Sequence, residues 1–167
     1  MRTLILDGYN VIHAIPSFNR ELQKSLEAAR NALIQACKNH RLVRKDIARV
    51  YIVFDGRDKF WDMPPGDDCG ISVLFTSSGQ NADDRILELI EEKGKDGSFV
   101  VISNDTYVFN HSRALGAKVI SAGEFENELR KAGSSKSKNP GKSKDAGLPE
   151  HQTRRITEEY KRHLGIE

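Results

Sequence analysis

Thr3-Leu4-Ile5-Leu6-Asp7-Gly8 (residues 3–8) sets a short apolar run directly before an acidic residue and a glycine. A run of this length without polar alternation reads as a buried strand, and Asp-Gly reads as the turn that ends it. The same device recurs. Val50-Tyr51-Ile52-Val53-Phe54 runs into Asp55-Gly56, and Phe99-Val100-Val101-Ile102 runs into Ser103-Asn104-Asp105. Ile71–Phe75 and Lys118–Ile120 supply two further strands. Between them the period changes from strand to helix. Glu21 to about His40 has Leu22, Leu26, Ala29, Leu33, Ala36 and Cys37 on one helical face. Ala82 to Lys93 predicts a helix with Asn81 as N-cap and Gly94 as its stop. A short helix is expected from Tyr107 to Leu115. Ser121-Ala122-Gly123-Glu124 is a capping box that opens another, through about Lys131. Strands alternating with helices predict an α/β fold whose central, mostly parallel sheet is covered by helices on both faces.

The 167 residues are 38% hydrophobic and 30% charged, enough for one modest core. No apolar run approaches the roughly 20 residues that span a bilayer, and Asp7 interrupts the only apolar start. Two cysteines make neither a disulfide scaffold nor a zinc site. A cytoplasmic protein without membrane attachment is expected. The net charge of +2 hides an asymmetry. Residues 1–130 carry 17 Lys+Arg and 19 Asp+Glu, whereas residues 131–167 carry 9 and 5. Residues 132–147 are Gly, Ser, Lys and Pro with almost nothing apolar, the composition of a flexible linker. The expected organisation is a folded domain over 1–131, a basic linker over 132–149 and a C-terminal helix over 150–167. A basic appendage on a slightly acidic body can hold a polyanion near a site that would otherwise repel it.

Asp7, Asp55 and Asp105 each follow a strand, and Asp83-Asp84 opens a helix. In an open α/β sheet, ligands bind beyond the carboxyl ends of the strands, so these carboxylates are expected along one edge. Crowded carboxylates stay ionised only when a cation neutralises them. Oxygen donors without Cys or His favour Mg²⁺ or Mn²⁺. The competing explanations are local. Asp-Gly is a common turn, acidic residues suit a helix's first turn, and Asn-Asp can cap a helix. Successive helical residues point ~100° apart, so Asp83 and Asp84 are expected to play unequal parts.

Asp7-Gly8-Tyr9-Asn10-Val11-Ile12 resembles the opening D-G-x-N-[VI] motif of NYN domains, a branch of the PIN-like nucleases. Asn81-Ala82-Asp83-Asp84-Arg85-Ile86 resembles their second acidic motif and Ser103-Asn104-Asp105 their third. Val53-Phe54-Asp55-Gly56 and Val119–Phe125 resemble the YacP-like subgroup. That subgroup more often reads T-A-D and T-S-D at the second and third motifs; the acidic residue is kept in both. The resemblance implies a PIN-like three-layer fold and a divalent-metal-dependent endoribonuclease for single-stranded RNA, with RNA and the ribosome as partners. It implies Asp7, Asp83, Asp84 and Asp105 as metal-binding catalytic residues. Asn10 would orient a water or the scissile phosphate, with Asp55 and Asn104 in support behind them.

Further RNA contacts are expected from Tyr9, Arg57, Lys59, Arg85 and Tyr107, which flank these motifs. The basic side chains would meet phosphates, with a solvated surface charge as their alternative, and the tyrosines would stack on bases. Packing at a strand end is the alternative for Tyr9 and Tyr107. His13 and His111 are expected to be structural or peripheral, whereas Phe60-Trp61 is open between a base platform or partner contact and folding back on the core. No G-x-x-x-x-G-K-[ST] or G-x-G-x-x-G loop is present, which argues against a nucleotide-cradling phosphotransferase. The remaining competitor is a catalytically inactive PIN-like module that binds RNA or the ribosome.

Overall fold

Five strands form one sheet with helices packed on its two faces. In a computed structural model, residues 1–40, 42, 46–56, 69–94 and 97–134 are described. They belong to one unit, Met1–Lys136. The element order is β1 (Arg2–Asp7), α1 (Gly8–Ala14), α2 (Pro16–Leu22), α3 (Leu26–Asn39), β2 (Ile47–Phe54), β3 (Ile71–Phe75), α4 (Ala82–Lys93), β4 (Ser98–Ile102), α5 (Thr106–Ala114), β5 (Lys118–Ile120) and α6 (Ala122–Ser134). All five strands pair in parallel, in the order β3-β2-β1-β4-β5. The expected α/β class is therefore the observed one.

Alternate residues of each strand feed two cores. Leu4, Leu6, Val50, Ile52, Phe54, Val100 and Ile102 face α1, α2, α3 and α6. Ile5, Tyr51, Val53, Phe99 and Val101 face α4 and α5. Both faces are covered, so the strands read as continuous apolar runs instead of alternating with polar residues. Three layers result. Among the described residues, no helix is long and apolar enough to cross a membrane.

Two expectations change in detail. The helix expected from Glu21 to His40 is two helices, α2 and α3, separated at residues 23–25. Pro16 starts α2, and the Ser25 hydroxyl accepts the Ala28 N–H at 2.9 Å to cap α3. The turn expected at Asp7-Gly8 is absent, because α1 starts at Gly8 directly from the strand. Gly8 has no positive φ. Its reason is proximity: a Cβ there would lie 2.4 Å from the Phe54 ring and 2.9 Å from the Val53 carbonyl oxygen. Gly56, with φ +87°, is the turn glycine. The capping box forms as expected, with Glu124 N–H to Ser121 Oγ at 3.1 Å and Ser121 N–H to Glu124 Oε2 at 2.7 Å. Helix α6 continues to Ser134, and the rest of the expected linker and the C-terminal helix lie outside the described residues.

The chain winds outward from β1 through β2 to β3, then crosses back to lay β4 on the other side of β1. The carboxyl ends of β1 and β4 are the point where the winding reverses. Crossover helices diverge there to opposite faces and leave a crevice. Leu6 pairs with Ile102 at this point, so Asp7 and Ser103 leave the sheet side by side.

Candidate active site

Asp7 leaves β1 almost fully buried, 6% exposed. Its carboxylate makes no capping hydrogen bond to α1. Its Oδ2 accepts the Ser103 hydroxyl at 3.1 Å. The same hydroxyl oxygen accepts the Asp105 N–H at 3.0 Å. Ser103, itself buried, thus joins the first acidic position to the third across the reversal point. Burial pushes the Asp7 carboxyl up to about 6, and Asp83 and Asp105 push the same way. The Ser103 hydrogen bond and the nearby Asn10 N–H offset that rise only in part.

Asp105 is the N-cap of α5. Its Oδ1 accepts the Tyr107 N–H at 2.8 Å and the Val108 N–H at 3.1 Å. Asp83 stands in the first turn of α4, half-buried. Burial raises its pKa first, followed by the charges of Asp105, Asp84 and Asp55. Every charged neighbour that shifts Asp7 or Asp83 is a carboxylate. Asp84 is exposed and lines a shallow recess with Gly79, Gln80, Leu87, Glu88 and Glu91. Of the two adjacent acids, Asp83 is half-buried and Asp84 exposed, and the charge of Asp84 acts on Asp83. Asp55 accepts the Thr76 hydroxyl at 3.0 Å, and Thr76 Oγ1 accepts the Gly56 N–H at 2.9 Å.

Two asparagines brace the same edge. Asn10 Oδ1 accepts the Asn104 N–H at 2.7 Å, and Asn104 Oδ1 accepts the Ala122 N–H at 2.8 Å. α1, the loop after β4 and the start of α6 are thereby latched in series. Asn10 commits its oxygen to this latch.

Asp7, Asp83 and Asp105 are brought within one another's electrostatic reach, with Asp55 acting on Asp83. Among the described residues, no three His, Cys, Asp or Glu side chains are gathered tightly enough to enclose a metal ion as they stand. The chemistry of the group nevertheless fits a hard cation. It offers oxygen donors alone, and the pKa of its buried member is raised first by burial and then by neighbours of its own sign.

The other expected contacts divide. Tyr9 is half-buried, tilted on Phe54 at 5.0 Å, and its hydroxyl accepts the Arg30 Nε–H at 2.8 Å. Packing at the strand end describes it. Arg85 turns along α4 to Glu88 at 3.0 Å and Glu92 at 3.3 Å. Tyr107 is 47% exposed, two residues beyond Asp105 in the first turn of α5. Arg57, Lys59 and Phe60-Trp61 lie outside the described residues. Three residues near the site went unassigned in the sequence reading: Ser103, Thr76 and Arg30. Ser103 had a signal, as the first residue of the third motif. Arg30, buried and packed over the rings of Tyr9, Phe54 and Phe75 at 5.5–5.9 Å, had none.

A family model described as the YacP-like NYN domain matches residues 4–165. The Bacillus subtilis (strain 168) protein described as uncharacterized protein YacP is 28% identical over 107 residues. That stretch is 64% of this chain and spans 62% of the length of that relative. The crystal structure of Rae1 (YacP) from Bacillus subtilis superposes with a TM-score of 0.65 at 25% identity, covering 99% of this chain and 88% of that one. A tryptophan-to-leucine variant of Rae1 gives a TM-score of 0.67 at 26% identity, covering 95% and 86%.

Proposed function

The chain belongs to the YacP-like NYN domain family, a nuclease-type domain, and we propose on that premise that it is a divalent-metal-dependent endoribonuclease acting on single-stranded RNA. The observation that carries the reading is the field at Asp7. A buried carboxylate pushed up to about 6 beside two further carboxylates destabilises the fold unless something positive binds there. A module that only bound RNA would gain nothing from that arrangement, since it repels phosphate.

Asp7, Asp83 and Asp105 are the residues that would hold Mg²⁺ or Mn²⁺, with Asp84 at the rim. A bound divalent ion supplies a more acidic water and a Lewis acid for the phosphate oxygens. Ser103 fixes the Asp7 carboxylate through its hydroxyl. Asp105 is oriented by the two α5 N–H groups that it caps. Asn10 would orient a water or the scissile phosphate, while its oxygen holds the loop after β4 in place. Asp55, tied to Thr76, adds negative potential next to Asp83. RNA is the proposed substrate, the cytoplasm the proposed location, and the ribosome a proposed partner through the basic segment beyond residue 134.

The test uses purified full-length chain and end-labelled unstructured RNA, in Mn²⁺ or Mg²⁺ and then in EDTA, alongside Asp105→Asn and Asp105→Ala. Asn retains an oxygen that can cap α5, whereas Ala removes it. Asp105→Ala is expected to lose about 1 kcal/mol of stability and Asp105→Asn much less. Both are expected to lose cleavage about a hundred-fold or more. Cleavage that survives chelation and both substitutions would contradict the metal reading. Binding without cleavage in any cation would favour the inactive module.

A further inference from the structure

The two helices that flank the carboxylates differ sharply in charge. Helix α4 carries Asp83, Asp84, Glu88, Glu91 and Glu92 against two cations: Arg85, taken up by Glu88 and Glu92, and Lys93 in the last turn, over the Tyr51 ring at 5.1 Å. Helix α5 (Thr106–Ala114) carries no carboxylate; its basic side chains are His111 and Arg113. A polyanion beside Asp83 and Asp105 is repelled along α4 and not along α5.

Helix α5 also exposes rings. Tyr107 is 47% and Phe109 38% exposed. The His111 ring lies 4.0 Å from the Tyr107 ring, centre to centre, with 34° between planes. His111 Nδ1 is 2.8 Å from the Tyr107 carbonyl oxygen. A carbonyl only accepts, so Nδ1 carries the proton and the imidazole is pinned against the phenol. Tyr107 is itself fixed to the site, since its N–H is capped by the Asp105 carboxylate. The rings are thus held at a set position on the helix that a proposed ligand caps.

We propose that Tyr107 and His111 form a stacking platform for an unpaired nucleobase, and that the RNA strand leaves the carboxylates over α5 and not over α4. This rests on the endoribonuclease reading and specifies its substrate path. Aromatic faces stack on any base, so the platform positions the strand relative to the cut without demanding a sequence. Phe109, with Arg113 at 5.4 Å over its ring, lies ~200° round α5 from Tyr107, on the other side of the buried Val108 and Ser112, and is no part of the platform.

A short unstructured RNA containing 4-thiouridine is photo-crosslinked to the full-length chain, with divalent cation and with chelator, and the adducts are mapped by peptide. Adducts are expected within residues 106–114. Tyr107→Ala combined with His111→Ala should weaken RNA affinity about five- to hundred-fold. Tyr107→Phe should retain it. A pair serving only as a helix contact would shift the melting temperature and leave RNA affinity unchanged, and that result overturns the proposal. Adducts on residues 82–93, or none on α5, also overturn it. Cleavage with adducts away from α5 would sink the platform and spare the nuclease. Adducts on α5 without cleavage in any cation would support the platform and sink the nuclease.

Discussion

Asp7→Asn is expected to make the protein more stable at pH 7.5 in chelator, and inactive. The Asp7 carboxyl is ordinarily at 3.8 and is raised to about 6 in the folded chain. A carboxyl that binds its proton more tightly when folded leaves stability whole below the unfolded value. Stability then falls as pH rises from about 4 to about 6, and it stays reduced above. A difference of that size corresponds to about 3 kcal/mol above pH 6. Asparagine keeps the shape and can still partner the Ser103 hydroxyl, but it carries no charge at any pH. The variant's stability should therefore be flat through that window. At pH 7.5 its Tm should stand about 5–10 °C above wild type. Adding Mn²⁺ should raise the wild-type Tm and leave the variant where it is, because only the wild type gains a ligand. Thermal melts at pH 4, 6 and 7.5, with EDTA and with Mn²⁺, decide the matter. A variant less stable than wild type in EDTA at pH 7.5, or an equal response to Mn²⁺ in both proteins, would remove the reason for proposing a cation at Asp7.

That trade between stability and charge explains why part of the site could be read in the sequence and part could not. Asp7 and Asp105 are legible because a parallel strand buried on both faces has to be an apolar run, and the polar residues that follow it, Asp7 in one case and Ser103-Asn104-Asp105 in the other, mark the carboxyl edge. Their convergence follows from the β1–β4 pairing, which the alternation of strands and helices implies only in outline. The order β3-β2-β1-β4-β5 is what puts Asp7 beside Ser103. Asp83 and Asp84 are adjacent in sequence, and helix geometry alone says that they differ. Which one turns inward depends on how α4 lies on Ile5, Val53 and Val101, a tertiary fact. Helices α1 and α2 are seven residues each, too short to develop a period of their own. They are held by Val11, Ile12, Ile15 and Phe18 sinking into the core. His111 looks isolated until α5 is drawn as a helix, where its i,i+4 relation to Tyr107 becomes a contact.

Gly8→Ala should be strongly destabilising, and the competing physical effects can be ranked by size. Gly8 is the first residue of α1, and inside a helix alanine is better than glycine by about 1 kcal/mol. Propensity alone therefore predicts a more stable protein. Against it stands the new methyl, 2.4 and 2.5 Å from two carbons of the Phe54 ring and 2.9 Å from the Val53 carbonyl oxygen. Neither neighbour can retreat easily. The Phe54 ring is fully buried, with Tyr9 at 5.0 Å, Phe75 at 5.6 Å and the Arg30 guanidinium over it at 5.9 Å. Val53 is held by strands on both sides, opposite Asp7 and Leu74. Overpacking of this kind costs about 1–3 kcal/mol where neighbours can adjust, and more where backbone has to move. Backbone has to move here, so the expected net loss is about 3 kcal/mol, a large share of a domain's typical 5–15. The displacement would fall on α1 itself. It would drag Asn10 from the Asn104 N–H and loosen the latch to α6, so cleavage should drop further than the unfolded fraction accounts for. Phe54→Leu added to Gly8→Ala frees the space that the methyl needs, and the pair should be less damaging than the sum of the two single changes. Urea midpoints for the two singles and the double form the test. A Gly8→Ala protein within about 0.5 kcal/mol of wild type would show that the helix start accommodates a side chain, and that the glycine of the first motif is there for some reason other than the Phe54 ring.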